Sequence, residues 1–257
     1  MAVRRRSSRG APGQHFLRSS RLAAELVRDA GVESGELVVE IGAGTGMLTR
    51  ALADTGADVI ALELDPVLAA ELRRRHASNP RVTVHEADAL RWTWPRRRFV
   101  VVSSLPFANS GAILARLLRD PLSGLRQADV IVQWDFAAKQ AAVWPATLKC
   151  TYWRAWFDVS IVRRLARTAF SPIPAVDAAV LRIARRNRPL VPPEDCDRYW
   201  RFLSAVFRSQ EPIRRSLRLH VSPLQLKRLA PTLGCALGAN ARDLDAVQWA
   251  ALFGIRK

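Results

Sequence analysis

The chain is poor in cysteine and in acidic residues. Three cysteines, Cys150, Cys196 and Cys235, stand far apart among 257 residues. Their odd number and wide spacing argue against a disulfide framework and against a zinc site. No metal is implied, and a reducing cytoplasm is the expected compartment. No apolar run approaches the length of a membrane span, and the N-terminus has no secretory apolar core. A membrane is therefore not an expected partner. Internal repeats are absent from the sequence.

Acid is scarce relative to base. Twenty-three Asp and Glu face forty Lys and Arg, a net charge of +17, and nearly all of the excess is arginine. A surplus of that size repels itself unless a polyanion neutralises it. Phosphate backbones do so while releasing counterions. A GC-rich genome explains arginine over lysine, but it does not explain base over acid. Nucleic acid is the favoured partner. An anionic membrane surface ranks second, because no basic helix carries a strong apolar face.

What is present is an apolar half, 49% of the residues, enough for a sizeable core. Residues 1–10 are rich in Arg and Ser and read as a basic flexible arm over 1–12 rather than a transit peptide, since the motif region starts at Gln14. Apolar runs at 37–41, 59–64, 82–85, 99–103 and 129–133 read as strands. Helical spacing separates them at 19–30, 47–53, from Pro66, at 112–118 and from about Phe136. Further strands near 157–162 and 178–183 complete the set. The alternation predicts a parallel α/β sheet covered on both faces, a catalytic unit over 13–186. Past the Arg- and Pro-rich stretch 185–193 no strand-like run occurs, and 187–257 reads as a small all-helical domain of three or four short helices.

Two motifs carry chemistry. Glu40-Ile41-Gly42-Ala43-Gly44-Thr45-Gly46 is a strand-to-helix glycine loop. Its third glycine comes one residue too early for a dinucleotide fingerprint, which disfavours a pyrophosphate cradle. An acid before the loop suits the cationic end of S-adenosylmethionine. Glu63 at the end of the second strand is placed for ribose hydroxyls, and Asp88 after the third for an adenine amino group. The second motif is Ser104-Leu105-Pro106-Phe107, directly after the strand at 99–103. A hydroxyl and a carbonyl can accept hydrogen bonds from an exocyclic amine while the aromatic face stacks on the base. Proline stiffens the turn and donates nothing.

These residues resemble the rRNA adenine N6-methyltransferases, the family of the erythromycin-resistance methylases and the small-subunit dimethyladenosine transferases. Gln14-His15-Phe16-Leu17 is similar to the family's Q-N-F-L opening motif, with His for Asn. The segment Phe170-Ser171-Pro172-Ile173-Pro174-Ala175-Val176-Asp177-Ala178 follows its F-x-P-x-P-x-V-D-S pattern. The resemblance implies a Rossmann-like methyltransferase sheet with a helical C-terminal domain. It implies S-adenosylmethionine held by Gln14, His15, Leu17, Glu40, Gly42, Ala43, Gly44, Gly46, Glu63, Leu64, Asp88, Ala89 and Ser104. It places the target adenine against Ser104, Leu105, Pro106 and Phe107, with serine where relatives carry Asn or Asp. The drift from the family's Asn-Leu-Pro-Tyr, the arginine-rich arm and the small C-terminal domain lean towards a 23S rRNA enzyme of macrolide-type resistance, expected to act as a monomer. The alternatives are a small-subunit dimethyltransferase and a catalytically weak assembly factor. Candidate phosphate contacts are Arg163, Arg164, Arg208, Arg214 and Arg215, along with Arg4, Arg5, Arg6, Arg9, Arg167 and Arg218. Trp92 and Trp94, before Arg96-Arg97-Arg98, offer either a stacking platform for RNA or core packing; Trp134 and Trp153 suit core or pocket wall.

Overall fold

The structure, a computed structural model, describes residues 15–143, 147–209, 211–234, 236 and 238–256. The basic arm with Arg4, Arg5, Arg6 and Arg9, together with Gln14 and Cys235, lies outside the described residues. In chain order the first half comprises β1 (Phe16–Leu17), α1 (Ser20–Asp29), β2 (Leu37–Ile41), α2 (Met47–Ala53), β3 (Asp58–Glu63), α3 (Pro66–Arg75), β4 (Val82–Glu86) and β5 (Phe99–Ser104). Then follow α4 (Ser110–Leu117), β6 (Leu125–Gln133), α5 (Trp134–Ala141), α6 (Leu148–Trp153), β7 (Phe157–Leu165), β8 (Phe170–Ser171) and β9 (Ala178–Arg185). The C-terminal segment contributes α7 (Cys196–Ser209), α8 (Ile213–Ser216), α9 (Pro223–Leu233) and α10 (Ala246–Gly254).

Seven strands form the main sheet in the order β4-β3-β2-β5-β6-β9-β7, and β1 pairs with β8 in a separate two-stranded ribbon. β2 is buried at every position, and β5 at all but its last. Strands covered on both faces read as unbroken apolar runs. Alternate residues serve opposite faces: Val39, Phe99 and Val101 enter one apolar cluster, Val38, Val100 and Val102 the other.

The parallel sheet expected from the alternation holds from β4 through β6 only. β9 runs antiparallel between β6 and β7. The reason is the connection. Between Leu165 and Ala178 there is no crossover helix, only a single 3-10 turn and β8, and a parallel return needs a long crossover. β7 accordingly alternates buried or half-buried residues with exposed ones, as an edge strand with one wet face should.

Much of the arginine is spent inside this architecture. Arg182 on β9 grips the buried Asp129 of β6 and donates to the Asp29 carbonyl at the end of α1. Arg126 makes a two-pronged pair with Glu36 at 2.8 and 3.0 Å. Arg185 donates to the carbonyls of Pro121, Ser123 and Leu125. Such forks suit arginine and would not suit lysine.

The C-terminal helices share the core of the sheet. Tyr199, Phe202, Trp249 and Phe253 join the cluster that contains Tyr152 and Trp156. Trp156 meets Tyr199 edge-on at 5.8 Å, and its indole N–H donates to the Val191 carbonyl at 2.8 Å. One residue thus fastens helices, connecting segment and sheet edge. Trp156→Ala is expected to cost about 3–5 kcal/mol in a urea melt, as for other large buried aromatics. A loss below about 1 kcal/mol would show that the helices are held elsewhere.

Candidate active site

Strand order reverses between β2 and β5, and a crevice opens beyond the carboxyl ends of the strands at such a switch point. Here it is a cavity of about 270 Å³. Of the residues singled out from sequence, His15, Leu17, Glu40, Gly42, Ala43, Gly44, Glu63, Leu64, Asp88, Ala89, Ser104, Leu105, Pro106 and Phe107 line it. Gly46 does not line it, and Gln14 is outside the described residues.

The glycine loop takes its shape from sterics. Gly42, Gly44 and Gly46 all have positive φ, at 68, 55 and 79°. A Cβ on Gly44 would sit 2.7 Å from the ring of Phe16, so the opening motif lies directly on the loop. A Cβ on Gly46 would sit 2.5 Å from Leu72 of α3, so this glycine permits helix packing. The loop is tied down from β3. Glu63, buried at the strand end, accepts from Gly44 N at 2.6 Å through Oε2 and from Asp65 N at 2.9 Å through Oε1. Each carboxylate oxygen keeps a second lone pair, enough for two further donors such as vicinal hydroxyls.

Glu40, 2% exposed, accepts a short bond of 2.5 Å from the Thr49 hydroxyl of α2. Burial is the main cause that pushes its carboxyl up from 4.5 to about 8; the nearby Glu63 charge adds to it and the Thr49 bond opposes it. Asp88 accepts from Leu90 N at 2.9 Å and is part-exposed at the far side. Glu40, Glu63 and Asp88 line the cavity, and no Lys or Arg among the described residues does. That donor set suits a nucleoside carrying positive charge at its other end, and S-adenosylmethionine fits it.

At the β5 end two serines have different duties. Ser103 Oγ accepts from Ile41 N at 2.7 Å and stitches β5 to β2. Ser104 has no side-chain hydrogen bond among the described residues and lines the cavity. Leu105 N donates to the Ile131 carbonyl, while no described backbone N–H takes the Leu105 carbonyl. Pro106 packs beside Gly42, and its own carbonyl is taken by Asn109 N and the Ser110 hydroxyl. Phe107 stands against two rings, Phe170 at 6.2 Å edge-on and His15 at 5.5 Å. The ribbon of β1 and β8 makes this possible, pairing Phe16 with Ser171 and Leu17 with Phe170. His15 Nδ1 donates to the Pro172 carbonyl at 2.8 Å.

The basic residues divide. Arg163 pairs with Glu25 and Asp29, and Arg164 pairs with Asp177 and lies 4.6 Å over Trp134. Their charge is largely answered within the chain. Arg208, Arg214 and Arg215 are exposed on α7 and α8, without an ion pair among the described residues. Trp92 and Trp94 are half-buried against the core, with Trp94 parallel to Phe99 at 6.5 Å. Both contribute to packing against the sheet core. Trp153 is buried in the core, and neither it nor Trp134 walls this cavity. Sequence reasoning missed Thr49, which faces Glu40, and Asn109, which lines the cavity from the turn after Phe107. Thr49 stands nine residues on from Glu40, in the first turn and a half of α2, a signal visible only once the loop length is known.

Among known proteins, the family described as Ribosomal RNA adenine dimethylase matches residues 6–256. The mycinamicin-resistance protein MyrB of Micromonospora griseorubida is 32% identical over 252 residues, 94% of this chain and 76% of that protein. The ribosomal RNA small subunit methyltransferase A of a Synechococcus strain is 30% identical, covering 93% of this chain and 89% of its own. The crystal structure of 23S rRNA methyltransferase ErmE is similar at a TM-score of 0.81 and 29% identity, covering 93% of this chain and 98% of that one.

Glu40 makes a signed prediction. Between pH 4.5 and about 8 the folded chain retains a proton that the unfolded chain has lost. Stability therefore falls as pH rises through that window and stays reduced above it. Glu40→Gln has no such dependence. Its melting temperature is expected to match the wild type near the lower end and to exceed it increasingly towards the upper end. An equal difference at both ends would contradict the buried proton.

Proposed function

The chain belongs to the ribosomal RNA adenine dimethylase family, and we propose that within it the protein methylates N6 of one adenine in 23S rRNA, giving macrolide-type resistance. It is an S-adenosylmethionine-dependent rRNA adenine N6-methyltransferase. S-adenosylmethionine supplies an electrophilic methyl group on a sulfonium. Glu63 is assigned to its ribose hydroxyls, Asp88 to its adenine and Glu40 to its cationic end, whose charge favours the ionised carboxylate over the protonated form held by the free protein. Gly42, Ala43 and Gly44 let it approach the backbone.

The observation that carries the reading is the Ser104–Phe107 turn. It sets a hydroxyl and a carbonyl, each without a hydrogen-bond donor among the described residues, and an aromatic ring around one end of an acid-lined cavity. An adenine must leave its stack to reach it. Phe107 then stacks on the base, while Leu105 O and Ser104 Oγ accept the two N6 hydrogens. Holding both hydrogens turns the nitrogen lone pair out of conjugation and towards the methyl carbon. Alignment and electrostatics supply the acceleration. Arg208, Arg214 and Arg215 are the assigned phosphate contacts. Preference for 23S rRNA draws support from the likeness to the ErmE structure, and a resistance role from the likeness to MyrB. The likeness to a small-subunit enzyme keeps 16S rRNA as the second reading.

Mass mapping of rRNA after expression in a susceptible host tests this directly. N6-methyladenine in 23S rRNA with raised macrolide tolerance is expected; modification confined to 16S rRNA would select the second reading. Ser104→Ala, which removes one hydrogen bond of about 0.5–1.5 kcal/mol, is expected to slow methyl transfer by roughly two- to twelve-fold. Ser104→Asn is expected to match or exceed the wild type. Its inactivity would mean that the pocket is built around serine.

A further inference from the structure

Methylation of an exocyclic amine leaves a proton to be removed. As the nitrogen lone pair forms the C–N bond and the S–C bond breaks, the nitrogen gains positive charge and must lose one of its hydrogens as H⁺. Ser104 Oγ and Leu105 O accept hydrogen bonds, yet neither a neutral hydroxyl nor an amide carbonyl retains a proton near neutral pH. Among the described residues, the cavity holds four titratable side chains: His15, Glu40, Glu63 and Asp88. Glu40 is bonded to Thr49 deep under the glycine loop, and Glu63 is bonded to Gly44 and Asp65. Asp88 follows β4, on the far side of the cavity, and is bonded to Leu90. His15 stands beside the base-stacking ring, its centroid 5.5 Å from that of Phe107.

The geometry points to His15 as the acceptor of the proton released from the target amine, directly or through one water. A carbonyl can only accept, so the 2.8 Å contact between Nδ1 and the Pro172 oxygen fixes the hydrogen on Nδ1. Nε2 is then the ring's free lone pair. The imidazole is anchored by that bond, next to the paired residue Phe16, while its partial exposure leaves a route for the proton to solvent. Charge adds to the effect. An imidazolium here would face a sulfonium and a developing ammonium, so a His15 already protonated disfavours transfer. Of the elements packed on it, the turn 107–110 brings no charged group, and the 170–177 segment brings Asp177, already paired with Arg164.

This assignment rests on adenine methylation but not on the choice of subunit, so rRNA of both subunits serves as substrate. The test is a single-turnover pH profile at saturating S-adenosylmethionine, between about pH 5.5 and 8.5. Wild type is compared with His15→Asn, whose amide can still donate to Pro172 but cannot take up a proton. The wild-type rate is expected to fall as pH is lowered across that interval. His15→Asn is expected to lose that limb and to run about tenfold or more slower at the alkaline end. S-adenosylhomocysteine affinity, measured by calorimetry on the same proteins, separates loss of a proton acceptor from loss of a cofactor contact. An acid limb that persists in His15→Asn overturns the assignment. So does a weaker affinity with an unchanged saturated rate, which would make His15 a cofactor contact. Modification of 16S rather than 23S rRNA would refute the subunit reading and leave this result standing.

Discussion

Two bonds to one carboxylate hold the site together. Glu63 receives Gly44 N on one oxygen and Asp65 N on the other. The first bond fixes the glycine loop against the end of β3. The second sets the residue that caps α3, where Asp65 in turn accepts from Val67 N and Leu68 N. Leu72 of that same helix presses on Gly46, and Phe16 presses on Gly44. Loop, helix start and opening motif are therefore one mechanical unit. The base end depends on it as well, because Gly42 supports Pro106 and Phe16 carries His15 towards Phe107.

Charge is divided between inside and outside. The cavity is lined by carboxylates in a chain whose net charge is +17. Bulk composition overstates the free positive charge, because Arg126, Arg163, Arg164, Arg182 and Arg186 each answer an acid of the same chain. Arg185 instead satisfies carbonyls where β6 begins. The surplus that remains is carried in part by Arg208, Arg214 and Arg215 on the C-terminal helices. An acid-lined cavity can hold a cationic cofactor while a basic exterior meets phosphate.

The strands that build the cavity were legible because burial on both faces leaves an unbroken apolar run. The expected 37–41 coincides with β2, and 99–103 falls one residue short of β5. The glycine loop, Glu63, Asp88 and the Ser104–Phe107 turn were legible as strand-end residues. What escaped were features set by partners distant in sequence. β6 begins at Leu125, four residues before the apolar run, because Arg126 finds Glu36. β7 runs on through Arg163 and Arg164 because acids on α1 and at Asp177 receive them. The two-residue strands β1 and β8 are too short to show any periodicity, and only their pairing makes them strands. The antiparallel β9 could have been anticipated from the missing crossover helix. Gly46, expected at the cofactor from the motif, does not line the cavity and lies against Leu72.

The Glu63 junction is also the most direct point at which to test the site as described. Glu63→Gln preserves size and one acceptor oxygen, but its amide NH2 cannot accept the second backbone bond. Calorimetric titration of S-adenosylmethionine into the wild type and this variant, both confirmed folded by thermal melting, measures the consequence. A hydrogen bond to a charged group is worth about 1.5–3 kcal/mol, so an affinity loss of about tenfold or more is expected. Equal affinity in the two proteins would contradict the account.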